Sequence, residues 1–225
     1  MRIPAFIAAV AMALLLVAHS PAVPATPAFI NSVEALSTPI IHEGVWDEKT
    51  GTHITYASFD TICTAFSINE RAKLWMTDHH CVEQPGTYYI RGEPVTIVTM
   101  NVKQDIAILK TIRASAKGIP LAAKDIVVGD AISMYGYPLS LGFPLLNTGI
   151  VSATNIMTPD PGLVYSGPYN IFQMVGANGN SGSPIVNEDE ELVGIEQWGW
   201  ERGRFTPMLG GATLTTLRQF ARWFE

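Results

Sequence analysis

Charged residues are scarce in this 225-residue chain, making up 15% of it against 48% for hydrophobic residues. Disorder requires low hydrophobicity and high net charge, so this composition excludes a disordered chain. The net charge is −6, and the chain lacks a run of Lys and Arg that could neutralise successive phosphates, which argues against a nucleic-acid partner. The sequence therefore predicts a compact protein, either one large domain or two small ones sharing an interface.

The amino terminus has the pattern of a signal peptide. Arg2 precedes an apolar run from Ile3 to Ala18, and Val23-Pro24-Ala25 offers a small-x-small cleavage site. The run is marginal for a spanning helix, which needs about 20 apolar residues, so cleavage is favoured over retention. We expect a secreted or periplasmic protein that contacts membrane only if this segment stays as an anchor. A buried core helix is the alternative.

Cysteine is nearly absent, since Cys63 and Cys81 are the two in the chain. Export would place them in an oxidising compartment, which favours a disulfide; two unpaired buried thiols are the alternative. CxxC and HExxH spacings are both missing, so we expect no metal and no other cofactor.

From about Ile40 onward, short apolar or alternating runs are divided by turn residues, which is typical of a β-sandwich or barrel. The predicted strands are 61–68, 74–77, 95–100, 106–110, 131–135, 149–153, 171–175, 184–186 and 192–195. The tail differs, because apolar residues fall at helical spacing between Thr213 and Phe224. We predict an amphipathic helix there, with Thr213 as a possible N-cap.

A serine flanked by glycines, Gly179-Asn180-Ser181-Gly182-Ser183-Pro184, follows one predicted strand and precedes another. A serine hydroxyl becomes a good nucleophile when a base removes its proton and N–H groups stabilise the resulting oxyanion. Glycines permit a sharp turn that aims the N–H groups of Gly179 and Ser181 at one oxygen. An ordinary hairpin loop is the alternative for this segment on its own.

All five histidines precede Ser181. This order excludes an α/β-hydrolase, in which the histidine follows the serine, and it permits the order His, Asp, Ser. A subtilisin-like order of Asp, His, Ser would need several long helices, whereas the pattern shows one.

Two segments resemble motifs of trypsin-like serine peptidases. Trp75-Met76-Thr77-Asp78-His79-His80-Cys81-Val82 is similar to that family's histidine box, and Gln104-Asp105-Ile106-Ala107-Ile108-Leu109 to its aspartate box. The resemblance implies that His80 is the base, Asp105 its orienting carboxylate and Ser181 the nucleophile, with Gly179 and Ser181 forming the oxyanion hole. It also implies that a Cys63–Cys81 disulfide braces the loop of His80.

Further segments extend the resemblance to the HtrA-like bacterial group. These are the stretch from Gly129 to Ala153, which is similar to the entry of that group's second barrel, and 194–199, which is similar to its substrate-pairing strand. Departures are Asn180 where digestive members carry an aspartate, the doubled His79-His80, and the Ser183-Pro184 ending. We also expect the chain to lack the PDZ module that usually follows in this group.

The resemblance implies an all-β fold of two six-stranded antiparallel β-barrels with a C-terminal α-helix. The expected division is a signal peptide over 1–25, a Pro/Ala-rich linker over 26–39, and a peptidase domain over 40–225 whose barrels meet near 113–128. The function implied is a serine endopeptidase acting on protein or peptide substrates through an acyl-enzyme. A catalytically inactive scaffold that binds proteins is the alternative.

The primary specificity pocket is also assigned by resemblance. Val175 at its base argues for a small or medium apolar side chain before the scissile bond, although Glu196 could favour a basic one. The residues expected to bind substrate are Val175, Glu196, Gln197, Trp198, Gly199 and Gly203.

Overall fold

A computed structural model describes residues 25–42, 46–47, 52–53, 56–157, 167–199 and 208–225. The predicted signal segment up to residue 24 and the pocket residue Gly203 lie outside the described residues. The described strands are β1 (Val33–His42), β2 (Trp46–Asp47), β3 (Thr52–His53), β4 (Tyr56–Asn69), β5 (Leu74–Thr77), β6 (Tyr89–Ile90), β7 (Glu93–Pro94), β8 (Thr96–Asn101), β9 (Ile106–Lys110), β10 (Ala131–Gly136), β11 (Leu145–Ile156), β12 (Tyr169–Gln173), β13 (Pro184–Val186), β14 (Leu192–Gly199) and β15 (Leu209–Ala212). The described helices are α1 (Pro27–Ile30) and α2 (Leu214–Arg218), with 3₁₀ turns at Val102–Gln104, Pro138–Ser140 and Ala221–Trp223.

The first half of the chain forms a seven-stranded sheet in the order β7-β6-β1-β4-β5-β9-β8. Its longest pairing is antiparallel, between β1 and β4, and runs from Val33 opposite Phe66 to His42 opposite Tyr56. Strands β2 and β3 pair with each other in a separate two-stranded sheet.

The second half forms a closed barrel in the order β10-β11-β12-β15-β14-β13. Burial alternates along β10, where Ile132 and Met134 face the interior, as expected of a strand with one face in a core. Strand β14 is buried from Leu192 to Gln197 because its two faces serve different cores. Val193 belongs to the barrel interior, whereas its neighbour Leu192 packs in the core shared with the first half.

A shared core joins the two halves. Phe66, Met76 and Ile108 of the first sheet cluster with Ile195 of the barrel and Leu217 of α2. Both halves thus bury apolar surface against each other, which makes the groove between them a fixed part of the fold. The predicted all-β architecture of two barrel-like halves with a C-terminal helix is confirmed, although the first half is a seven-stranded sheet and not a closed six-stranded barrel.

The amino-terminal part of the domain begins earlier than the sequence indicated. Part of the predicted linker over 26–39 forms α1 and most of β1, so the expected boundary at residue 40 falls inside a strand. The Ser32 hydroxyl donates to the Ala28 and Lys117 carbonyl oxygens, and Phe29 is buried in the shared core. These contacts order a segment whose Pro and Ala content had indicated a linker.

The C-terminal helix is shorter than predicted. Thr213 caps it by accepting from the Thr216 N–H at 3.2 Å, but α2 ends at Arg218 and a 3₁₀ turn follows at Ala221–Trp223. Phe220 lies between them with φ −101° and ψ 6°, outside helical values, and its ring is buried in the shared core. Among the described helices, none is long and apolar enough to cross a membrane.

Candidate active site

The loop that carries Ser181 is a tight turn held by its own backbone. The Asn180 N–H donates to the Ala177 carbonyl oxygen at 3.0 Å, and the Ser183 N–H donates to that of Asn180 at 2.8 Å. Gly179 and Gly182 have φ of +98° and +83°, values at which a side chain would be strained. A Cβ on Gly179 would also lie 2.5 Å from the Tyr137 carbonyl oxygen, so both glycines are required by the turn.

Two N–H groups of this loop are left over. In the described part of the chain, the N–H groups of Asn180, Gly182 and Ser183 donate to backbone carbonyl oxygens. The N–H groups of Gly179 and Ser181 do not donate to any described backbone carbonyl. These are the two N–H groups that the resemblance assigned to an oxyanion hole. An oxyanion hole needs donors that the fold leaves available for the substrate oxygen.

The first half of the molecule holds the loop in place through Thr64 of β4. The Thr64 N–H donates to the Ser181 carbonyl oxygen at 2.9 Å, and the Thr64 hydroxyl donates to that of Gly179, also at 2.9 Å. The Thr64 hydroxyl in turn accepts from the Tyr137 N–H at 2.9 Å. The position of Ser181 is therefore set by both halves together.

His80 lies in the loop after β5 and is bound to Asp105 through two contacts. Its Nδ1 is 2.8 Å from Asp105 Oδ2, and its backbone N–H donates to Asp105 Oδ1 at 2.9 Å. Asp105 is fully buried and the His80 side chain is 28% exposed, so the pair faces the groove from one side. A buried carboxylate on Nδ1 fixes the tautomer that leaves Nε2 as the acceptor.

Asp105 has a left-handed backbone, with φ 52° and ψ 49°, at the end of the 3₁₀ turn before β9. Aspartate tolerates this conformation better than most residues. The Gln197 side chain of β14 secures the segment by donating to the Gln104 and Asp105 carbonyl oxygens, at 2.6 and 3.0 Å. Gln197, which the sequence placed in the wall of the specificity pocket, thus braces the aspartate from the other half.

The surroundings of His80 favour its protonated form. Burial alone would lower the pKa of its imidazole, but the hydrogen bond and charge of Asp105 outweigh that effect. The nearby carboxyl groups of Glu196 and Glu83 act in the same direction, so the pKa is raised above the ordinary 6.5. An imidazole with a raised pKa is a stronger base once deprotonated.

His80, Ser181 and the cysteines line one cleft of about 430 Å³ between the halves. Cys63 and Cys81 form a disulfide, as predicted. It ties β4 to the residue that follows His80 and leaves an apolar surface in the cleft.

The remaining predicted pocket residues lie in varied surroundings. Val175 follows β12 and is 50% exposed, whereas Glu196 is buried. The Trp198 ring meets that of Tyr169 edge-on, with centroids 5.8 Å apart, and covers Gly210, where a Cβ would lie 2.1 Å from the indole. Trp198 and Gly199 are half-buried at the end of β14.

Two buried acids lie near His80, and neither was assigned to the catalytic machinery from the sequence, although Glu196 was expected in the specificity pocket. Asp78 and Glu196 are 0% and 4% exposed. Burial and the neighbouring charge of Asp105 raise the pKa of Asp78 well above the ordinary 3.8. Burial also raises the pKa of Glu196, to about 8, although the charge of His80 opposes this. Only the fold reveals that these side chains point inward.

Two groups of described residues bring three potential metal ligands within 4.8 Å of one another. One contains Cys63 and Cys81, whose disulfide removes them as ligands. The other contains Asp78, His80 and Asp105, in which the His80 Nδ1 is already hydrogen-bonded to Asp105. Neither group is assigned to a metal.

The two joined β-halves, with a histidine–aspartate pair facing a glycine-flanked serine across their groove, define the trypsin-like class of proteins. The sequence model of the trypsin-like peptidase domain matches residues 63–195, which is more than half of the chain. The chain therefore belongs to the trypsin-like peptidase domain family.

A curated relative is the "Probable periplasmic serine endoprotease DegP-like" of Halomonas elongata, 29% identical over 138 residues. The match covers 59% of this chain and 28% of the relative. The chain thus corresponds to little more than a quarter of that relative's length.

Solved structures share the fold at low identity. The HtrA-type protease AlgW with a decapeptide superposes with a TM-score of 0.74 at 16% identity, covering 86% of this chain and 64% of AlgW. The active form of the Rv3671c protease from M. tuberculosis gives 0.64 at 17% identity, covering 92% of each chain. The resemblance to trypsin-like peptidases noted from the sequence is confirmed by the family match, and these solved structures share the fold.

Proposed function

We propose that this chain is a serine endopeptidase in which Ser181 attacks a peptide carbonyl and His80 takes the serine proton. Asp105 holds the imidazole and stabilises the imidazolium that forms. The N–H groups of Gly179 and Ser181 receive the oxyanion, and water then hydrolyses the acyl-enzyme. The observation that carries the proposal is the His80 Nδ1 to Asp105 Oδ2 contact of 2.8 Å, on the rim of the same cleft as Ser181.

The proposed substrate is an extended polypeptide lying in the groove between the halves. AlgW, which shares the fold, has been solved with a decapeptide and with a tripeptide. The cleft beside Ser181 is lined by Cys81 and Tyr88, which suits an apolar side chain of the substrate, but its lining does not include the described residues that were assigned to the primary specificity pocket. We retain a small or medium apolar residue before the scissile bond as the proposed preference, to be tested with a peptide panel that varies this position.

We place the activity outside the cytoplasm. The Cys63–Cys81 disulfide needs an oxidising compartment to persist, and the curated relative is described as periplasmic. The amino-terminal signal pattern gives the route of export.

The test is labelling of the purified protein with a fluorophosphonate probe, which reacts with activated serines. We expect the wild type to label, and the variants Ser181→Ala and His80→Ala to fail. Ser183→Ala is the matched control, because this serine lies two residues away but is fully buried and beyond the probe's reach. Labelling of Ser181→Ala at the wild-type rate would refute the nucleophile, and a folded wild type that never labels would favour the inactive scaffold.

A further inference from the structure

A second carboxyl group lies buried behind the pair of His80 and Asp105. Asp78 is 0% exposed, and one of its carboxylate oxygens is within 4.8 Å of both a His80 ring nitrogen and an Asp105 carboxylate oxygen. Within the described part of the chain, neither Asp78 oxygen has a hydrogen-bond partner. The mechanism proposed above gives this residue no role.

Asp105 and Asp78 differ in the hydrogen-bond donors that their carboxyl groups receive. Asp105 accepts from the His80 backbone N–H and lies against the ring Nδ1. The Gly182 N–H lies near enough to Asp78 to favour its charged form, but it donates its hydrogen bond to the Glu196 carbonyl oxygen at 2.9 Å. An ionised carboxylate without a partner is costly to bury, so Asp78 holds a proton, whereas Asp105 has hydrogen bonds to stabilise its carboxylate.

The groups packed around Asp78 reinforce this division. Asp105 precedes β9 and Glu196 lies in β14, and the charge of each disfavours ionisation of Asp78. His80 follows two residues later and is the cation of the group when protonated.

We propose that Asp78 is a reserve positioning residue for His80, which stays neutral beside Asp105 and orients the imidazole when residue 105 lacks a carboxylate. Burial is the largest cause that keeps Asp78 neutral, and the charge of Asp105 is the next. The substitution Asp105→Asn removes that charge, and in our proposal Asp78 then gives its proton to solvent. Its carboxylate then becomes the acceptor for the His80 ring N–H. This inference rests on the proposed peptidase function.

The test compares fluorophosphonate labelling rates of the wild type, Asp78→Asn, Asp105→Asn and the double variant. Loss of the orienting aspartate costs about 10⁴-fold in catalysis by trypsin-type triads. We expect Asp78→Asn to lower the labelling rate of the wild type by less than tenfold. In the Asp105→Asn background, the same substitution should lower the rate by a factor at least ten times larger. Equal factors in the two backgrounds would overturn the proposal.

Glu93→Gln is the matched control, since it also removes a buried carboxyl group, but one that is bound to the backbone of 112–114 and whose pKa is shifted by neither Asp105 nor His80. It should change the rate by the same factor whether residue 105 is Asp or Asn. A wild type that fails to label defeats the peptidase function itself, which is a different result from equal factors.

A second measurement does not depend on folding of the Asp78 variants. NMR titration of His80 in Asp105→Asn should give a pKa that stays above the ordinary 6.5, because the Asp78 carboxylate replaces the missing charge. A value below 6.5 would refute the proposal, since a buried imidazole without a carboxylate partner loses basicity.

Discussion

Three carboxyl groups act on the imidazole of His80. Asp105 contacts its Nδ1, while Glu196 and Glu83 add negative potential from further away. Their combined effect outweighs burial and raises the pKa of the imidazole, which has a direct consequence for activity.

The rate of Ser181 labelling should fall as the pH drops through the pKa of His80, because an imidazolium cannot accept the serine proton. That midpoint is expected above 6.5, the ordinary value. Glu83→Gln should move it to lower pH and leave the plateau at high pH unchanged. Identical profiles for the two proteins would show that Glu83 has no electrostatic effect on the base.

Glu196 should make stability depend on pH. Its pKa is about 8 when folded, against 4.5 as the ordinary value, so the stability it contributes is present below pH 4.5 and is lost as the pH rises toward 8. The free energy of unfolding of the wild type, relative to Glu196→Gln, should therefore decline over that interval and level off above it. Urea unfolding from pH 4.5 to 9 measures this, and parallel curves would contradict it.

At the scale of elements, the Ser181 loop depends on space as well as on backbone angles. Gly179 and Gly129 have nearly the same φ, +98° and +97°, but a Cβ at Gly129 would meet nothing within 4 Å. A difference in labelling rate between Gly179→Ala and Gly129→Ala is therefore due to the close approach of the loop to the Tyr137 carbonyl oxygen.

Gly179→Ala should lower the labelling rate by about 10²-fold or more, since the loop must shift and displace an oxyanion donor. Gly129→Ala should carry only the cost of the strained backbone, about 1–3 kcal/mol of stability, and leave the labelling rate near that of the wild type. Equal losses of activity in the two variants would show that steric contact at Gly179 is unimportant.

Glu93 of β7 binds the start of the segment that connects β9 of the first half to β10 of the second. Its carboxylate accepts from the backbone N–H groups of Ile112, Arg113 and Ala114 at 2.5, 2.7 and 2.7 Å. Of these hydrogen bonds, the one from Ala114 contributes most to lowering the pKa of Glu93 below 4.5, and burial opposes them.

Glu93→Gln should lower the melting temperature by a few degrees at neutral pH, because hydrogen bonds to a charged acceptor are the stronger ones. A lowered pKa gives stability that is present above pH 4.5 and is lost as the pH falls through the folded value. The two melting temperatures should therefore converge under acid conditions. A constant difference across the pH range would mean that the charge contributes nothing.

Local sequence patterns predicted much of the fold, but they did not predict the buried carboxyl groups behind His80. Strands β5, β9 and β13 have the bounds read from their apolar runs, because each is fully or nearly fully buried. The Pro/Ala content of 26–39 hid the start of β1, whose order comes from contacts with distant residues. The position of Asp78 also depends on residues that are distant in the sequence, so its neighbours in the chain did not indicate that its side chain lies beside Asp105.

At the scale of the whole molecule, one core spans both halves, and we expect them to unfold together. Phe66→Ala should lower the free energy of unfolding by about 3–5 kcal/mol, because Phe66 is 0% exposed in the shared core. Ile112→Ala, at a position 71% exposed, should change it by less than about 0.5 kcal/mol.

Chemical denaturation followed by tryptophan fluorescence and by loss of labelling should give coincident transitions for Phe66→Ala. Trp75 reports the first half and Trp198 the second, so separate transitions would mean that the halves are independent units.

The hydrogen bonds from Thr64 to the Ser181 loop also bear on the order of synthesis. The chain leaves the ribosome amino end first, so His80 and Asp105 emerge a full half-domain before Ser181 does. Until the barrel has docked, Thr64 cannot form its hydrogen bonds to the Ser181 loop. Under the proposed function, a nascent chain would therefore carry His80 and Asp105 before it could cleave itself or the machinery that makes it.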